Sequence, residues 1–447
     1  MLLQFTRFIP FQGARADFHV HALLAPHLGN RGAGNTAWAG DYKGLPMLFA
    51  QREGVALALA CSAAWLRRSA GFVGYSDGWQ DLRRHGRLEW RYDRAENGNV
   101  ALVGEIDLEA SGGEFLLALA FGRTVAEAGL RARAGLERRL EDVLRLYARE
   151  WTAWQDELIR LGDAEPDSRL YRVSAAVIRV HEDKRFSGGI IASLSVPWGF
   201  AKGDDDLGGY HLAWPRDLVE AGGGLLAMGA GAEALRVLEY LRLTQEADGH
   251  WPQNMWLDGS EFWSGVQMDE TALPILLVDL ARREGVLEGA ALDRYWPLVR
   301  RAASYIVRNG PVTQQDRWEE DPGYSPFTLA AEIAALLAAA DFADLRGEDD
   351  VGRYLLETAD AWNASIERWI YARGTPLARE LGVDGYYVRI APPEGADAGS
   401  PVQGFVPIKN RPPDCSSSRR HRSSARMRWR WCASACARPT ILVCSPP

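Results

Sequence analysis

The sequence predicts a multidomain α and β chain: a partial N-terminal antiparallel β-sandwich, a linker helix, and then an incomplete toroid of α/α hairpins. Three patterns predict it. Residues 1–125 alternate short apolar runs with Gly, Asn and Asp breaks, residues 126–166 switch to helical spacing, and residues 167–410 repeat that spacing in separate helices joined by alternately short and long connections.

In the first region, runs such as GVALALACSA and NVALVGEIDLEASGGEFLLALAFG read as strands. Val100 to Leu108, a Ser-Gly-Gly turn and Glu114 to Phe121 predict two adjacent antiparallel strands, at a spacing common in sandwiches. Gly29 to Asn35 resembles a phosphate loop only loosely, and with no strand-to-helix switch around it the segment reads as a turn. Strand-like text begins almost at Met1, so part of the sandwich is expected to be absent. From Thr124 to Leu161, apolar residues at Leu136, Leu140, Val143, Leu144, Tyr147, Trp151 and Trp154 predict one long linker helix. Seven further helices are expected, at 168–183, 216–228, 231–247, 268–284, 291–308, 326–343 and 348–370. The long connections between them hold the Trp, Asp, Glu and His residues, and helical hairpins with that alternation suit a ring whose long loops gather at one end.

Composition narrows the function. The 447 residues are 47% apolar and 25% charged, which describes a folded chain. The apolar stretches Gly54 to Leu66 and Phe327 to Ala343 read as too short or too interrupted by acids for a bilayer span, and the first residues lack the zones of a secretory signal, so a cytoplasmic chain is expected. Net charge is −8, but residues 411–447 carry eight Arg against one acid, a balance of +7 that leaves −15 on the first 410 residues. An acidic body without a basic stripe is unsuited to nucleic acid. Of five cysteines, only Cys61 lies in that body, and the spacing of Cys415, Cys432, Cys436 and Cys444 does not fit a structural zinc site, so no metal and no cofactor are expected. The tail abandons hydrophobic periodicity for Arg, Ser, Cys, Pro and Trp, as GC-rich DNA does when read out of frame; residues 411–447 are expected to be a frameshifted or disordered segment.

Three constellations carry chemistry. Tyr210-His-Leu-Ala-Trp214-Pro215-Arg216-Asp217 stands where a loop enters a helix, with proline at an early helical position. The next long loop places Trp251, Trp256 and Trp263 within 13 residues and leads to Gln267-Met-Asp269-Glu270. Indole faces pack on the C–H faces of sugars while Asp, Glu, Gln and Arg bond hydroxyls. The third is Arg317-Trp318-Glu319-Glu320-Asp321-Pro-Gly-Tyr324-Ser-Pro-Phe327. A loop of this kind can turn one glutamate inward as a general acid while the next bonds a hydroxyl or a cation, and Trp318, Tyr324 and Phe327 are candidate apolar walls.

At YHLAWPRD, WPQNMW with GVQMDET, and RWEEDPGYSPFT, the chain resembles glycoside hydrolase family 15, the bacterial glucoamylase and glucodextranase group. The resemblance covers residues 1 to about 410 and implies a sandwich, a linker helix and an incomplete (α/α)₆ barrel in that order. It implies an inverting, exo-acting α-glucosidase that removes terminal glucose from α-glucans or related oligosaccharides. Glu319 then corresponds to the general acid and Glu320 to its hydroxyl-binding neighbour, with Arg216 and Asp217 holding the terminal glucose and Tyr210 and Trp214 beside them. Gln267 and Asp269 resemble polar substrate contacts, and Trp251, Trp256 and Trp318 are candidate sugar platforms. The family's general base lies late in the barrel, past the point where this sequence changes character, so none is assigned and impaired hydrolysis is expected. The alternatives are a sugar phosphorylase of similar architecture and a non-catalytic carbohydrate-binding fragment.

Overall fold

The computed structural model describes residues 1–160, 167–194, 210–397 and 401, with the backbone of 405–407 and 417–419. Most of the expected foreign tail therefore lies outside the described residues. The chain divides into two compact units, the first holding residues 1–155 and the second residues 156–195 and 210–447.

The first unit contains β1 (Leu2–Arg7), β2 (Val20–Leu24), β3 (Asn35–Tyr42), β4 (Leu45–Arg52), β5 (Val55–Cys61), β6 (Trp65–Phe72), α1 (Gly78–His85), β7 (Arg94–Gly98), β8 (Val100–Ile106), β9 (Glu114–Gly122) and α2 (Val125–Leu136). One six-stranded sheet runs β1-β9-β5-β4-β3-β7 and a three-stranded sheet runs β2-β8-β6. All their pairings are antiparallel. Two tight hairpins set the register of the larger sheet. Lys43-Gly44 and Glu53-Gly54 each have two consecutive positive φ angles, and they join Tyr42 to Leu45 and Arg52 to Val55. Two-residue turns of that hand match the strand twist. Leu48, Leu57 and Leu59 of the larger sheet pack with Ala70, Val100 and Leu102 of the smaller. On the larger sheet's other face, Ala56, Ala58, Ala60, Ala118 and Ala120 form a flat bed on which Ala128 and Ala132 of α2 rest.

Two expectations change here. The strands after the Ser-Gly-Gly turn and before it are not partners: β8 pairs with β2 and β6, while β9 pairs with β1 and β5. The turn carries the chain across the sandwich, because β8 is buried along its whole length and needs neighbours on both edges. The long linker helix is instead two helices, α2 and α3 (Leu140–Glu157), since α2 is held on the sheet by its alanine face and ends at Leu136.

The second unit is helical. Its elements are α4 (Asp167–His181), α5 (Pro215–Ala227), α6 (Gly231–Thr244), β10 (Asn254–Met255), β11 (Glu261–Trp263), α7 (Met268–Arg283), α8 (Gly289–Asp293), α9 (Trp296–Asn309), α10 (Pro326–Leu345), α11 (Asp349–Ile370), β12 (Tyr371–Arg373), α12 (Pro376–Leu381), β13 (Gly385–Tyr387) and α13 (Pro393–Asp397). α7 packs against α5, α6, α9 and α10, and α10 packs against α9 and α11. α10 is accordingly apolar nearly all round, as an enclosed helix must be, whereas α7 buries Asp269, Glu270 and Asp279 among its apolar residues. α10, with 20 residues and a mean hydropathy of 1.5, is long and apolar enough to cross a membrane, contrary to the reading of its interrupted sequence; here it is mostly buried in protein. Short turns join α5 to α6 and α10 to α11, whereas residues 245–267 and 310–325 form long loops. Those long loops enter α7 and α10 at their N-termini, next to the start of α5.

Gly249 opens the Trp-rich loop with a φ of +112°, and a methyl there would collide with the Arg301 carbonyl oxygen. Gly249→Ala should lower the stability of the helical unit by about 1–3 kcal/mol, read as a lower denaturant midpoint.

Candidate active site

α5 begins with Trp214 as its capping residue and Pro215 inside its first turn, which sets the backbone for Arg216 and Asp217. Arg216 is 8% exposed and does not reach outward: its guanidinium donates to Gln267 Oε1 at 2.7 Å and Asp269 Oδ2 at 2.5 Å, and lies 3.3 Å from Glu270 Oε1. All three partners are fully buried at the start of α7, and Thr328 Oγ1 of α10 reaches Asp269 Oδ1 at 3.4 Å. The starts of α5, α7 and α10 thus converge on one guanidinium. Helix N-termini favour carboxylates, which accounts for Asp217, Asp269 and Glu270 all lying in first turns.

The loop before α10 is built by its own acids. Thr313 and Gly323 exchange backbone bonds of 3.1 and 3.0 Å across its neck, and Tyr324 exchanges two more with Ala391. Asp316 Oδ1 accepts the amides of Trp318 and Glu320, while the Glu319 amide donates to the Asp316 carbonyl at 2.8 Å. This local winding holds Glu319 at a φ of +60°, a conformation costly for a residue with a side chain. It separates the adjacent glutamates. Glu320 turns to Arg389, which also grips Asp316 and Asp321, at 2.6, 2.6 and 2.8 Å respectively. Glu319 turns to Trp214, whose indole N–H donates to its Oε1 at 3.1 Å.

That bond joins motifs 105 residues apart. Asp217 and Glu270 both feel the charge of Glu319, so three carboxyls and Arg216 share one electrostatic neighbourhood. Burial pushes the Glu270 carboxyl well above the ordinary range, against the pull of Arg216. Asp217 is raised in the same way, Arg216 again opposing, although the residue remains exposed to solvent. Tyr210, 55% exposed, tilts against Trp214 with ring centroids 5.9 Å apart. Ala213 and Met255 exchange backbone bonds, which fastens the Trp-rich loop beside Trp214 and leaves Trp256 half-buried against Phe262. Trp318 is 56% exposed beside Glu319, with Arg317 over its ring at 5.2 Å.

Several candidates occupy other positions than the sequence suggested. Trp251 is fully closed in the core, its indole donating to the Leu241 carbonyl, so it supports the loop and presents no face to a sugar. Gln267 and Asp269, also fully buried, stand behind Arg216 and hold it. Glu320 bonds Arg389, the cation expected as the alternative to a hydroxyl. Tyr324 is no wall for Glu319: it stacks on Trp369 at 4.6 Å in a separate core cluster. Arg389 and Asp316 were not singled out from the sequence. A lone cation in the apolar text YYVRIA was the available signal, and it names no partner.

Residues 246–421 match the family model for glycosyl hydrolases family 15, and residues 1–156 match that for glucodextranase, domain N. A glucoamylase of Clostridium sp. (strain G0005) is 35% identical over 390 residues, which cover 87% of this chain and 53% of that protein. An uncharacterized glycosyl hydrolase of Methanocaldococcus jannaschii is 29% identical over 134 residues, covering 29% of this chain and 21% of its own length. A crystal structure of a bacterial glucoamylase complexed with acarbose superposes with a TM-score of 0.83 at 33% identity, covering 94% of this chain and 59% of that one. The architecture is accordingly that of a sheet domain followed by helices of an (α/α)₆ barrel. The chain spans about half the length of the Clostridium glucoamylase it matches.

Proposed function

Because residues 246–421 match the family model for glycosyl hydrolases family 15, we propose that the helical unit binds the non-reducing end of an α-glucan or related oligosaccharide and serves the exo-acting release of glucose with inversion. The observation that carries this reading is the bond from Trp214 to Glu319, which sets a carboxyl at the start of α5 beside Asp217. In this reading Asp217 and Tyr210 meet the terminal sugar, Arg216 fixes the start of α5 from behind, and Glu319 delivers a proton to the bridging oxygen. Trp256 and Trp318 flank the sugar chain.

Inversion also requires a second carboxylate about 6.5–9.5 Å from the acid, activating water on the opposite face of the ring. Among the described residues none is assigned that role. Glu270 also feels the charge of Glu319, but burial raises its carboxyl well above the ordinary range and so disfavours the charged form a base needs. This chain by itself is therefore proposed to bind saccharide and to release glucose slowly.

Calorimetric titration with acarbose tests the binding. Association with the parent, and a loss of about tenfold or more in Asp217→Asn, fit one charge-assisted bond removed at the terminal sugar. Absence of binding by the parent would overturn the reading. A parallel assay of glucose release from maltose should find this chain far slower than the Clostridium glucoamylase; equal rates would refute the missing base.

A further inference from the structure

Glu332 lies one turn beyond Thr328 on the same face of α10, and Thr328 is the residue whose hydroxyl meets Asp269. It is fully closed from solvent, and neither of its carboxyl oxygens has a hydrogen-bond partner. Other buried acids of this unit are answered by cations: Asp269 by Arg216, Asp279 by Arg282 and Arg283, Asp316 by Arg389. Glu332 is not. α9 ends against it at Gly310, where a methyl would stand 2.6 Å from Oε1, and α11 brings Trp362 to the same glycine. α7 contributes Asp269, the one charged group acting on Glu332 among the described residues. With the Gly310 backbone against its Oε1 and the like charge of Asp269 from α7, a charged carboxylate there would stand without a counterion.

We propose that Glu332 is a positioning residue for the Arg216 clamp, present as an uncharged acid so that no further anion pushes Asp269 from its place beside the guanidinium. Ionisation of Glu332 would repel Asp269 from its place between Thr328 and Arg216, and the start of α5 would lose its anchor. Burial first, and Asp269 second, hold the Glu332 carboxyl well above the ordinary carboxylate range, which keeps it neutral where solvent-exposed acids have ionised. The use of this clamp in binding sugar rests on the function proposed above, whereas the charge state and its effect on Arg216 do not.

The sign of the pH effect follows from linkage. Above the ordinary carboxylate pKa of about 4.3 the unfolded chain has released this proton and the folded chain still holds it, so the parent loses stability as pH rises toward the raised folded value. Glu332→Gln keeps the shape without the proton. Its melting temperature relative to the parent should climb with pH above about 5, by about 2–5 °C per pH unit until the raised folded value is passed, the contribution of Glu270 cancelling because both proteins carry it. Glu332→Met, also uncharged, should show the same trend. A gap that stays constant with pH in both variants would overturn the neutral acid. The positioning role is read on the Arg216 Nε–H resonance, assigned by its loss in Arg216→Lys: it should move with pH in the parent and stay fixed in Glu332→Gln, and identical behaviour in the two would refute it. If acarbose binds neither protein while these differences persist, the saccharide reading falls and the role of Glu332 stands.

Discussion

Arg389→Met should unfold the loop that carries Glu319 and lower the stability of the helical unit by about 3–5 kcal/mol. The reason is an imbalance of charge. One guanidinium, itself largely buried, answers Asp316, Glu320 and Asp321, of which Asp316 is fully buried and Asp321 nearly so. Methionine fills similar volume but leaves two buried carboxyls without a cation. Asp321 is already raised by burial, with Arg389 opposing that rise, so removing the arginine would drive it further toward the neutral form. Asp316 would then lose the geometry by which its other oxygen collects the Trp318 and Glu320 amides, and with it the winding that holds Glu319 at positive φ. Denaturant unfolding followed by tryptophan fluorescence measures the loss. A change below about 1 kcal/mol would mean that the three ion pairs do not govern the loop.

Under the proposed function, Glu319→Gln should reduce glucose release from maltose by about a thousandfold, with little effect on folding. The amide keeps the acceptor for the Trp214 indole and removes the proton that a sugar leaving group requires. An aryl glucoside with an acidic phenol as leaving group needs little protonation, so the same variant should lose much less on it. Initial rates on both substrates decide the matter. Equal losses on the two would assign Glu319 to sugar binding, and no loss on either would remove it from the reaction.

Much of this was legible in the chain itself. The helical periods between 215 and 370 gave α5, α6, α7, α9, α10 and α11 to within a few residues, because apolar spacing and proline at helix starts are local facts. The Trp-Pro-Arg-Asp and Trp-Glu-Glu segments stood out as candidates for the same reason: residue types and their order in a loop before a helix are local facts. The positions of Trp251, Gln267 and Asp269 were not legible. A loop tryptophan reads identically whether its indole faces a ligand or, as here, the Leu241 carbonyl, and a glutamine at a helix start does not reveal that it props up an arginine.

The sequence by itself determined the main helices of the helical unit and which side chains were available for acid chemistry. Only the tertiary structure decided that β8 and β9 belong to different sheets, that Arg389 reaches back 73 residues to Asp316, and that burial raises the carboxyls of Glu270 and Glu332. The physical reason is range. Period, capping and turn chemistry act over a few residues, whereas desolvation and ion pairing depend on whatever the fold brings within a few ångströms, and no local pattern records that.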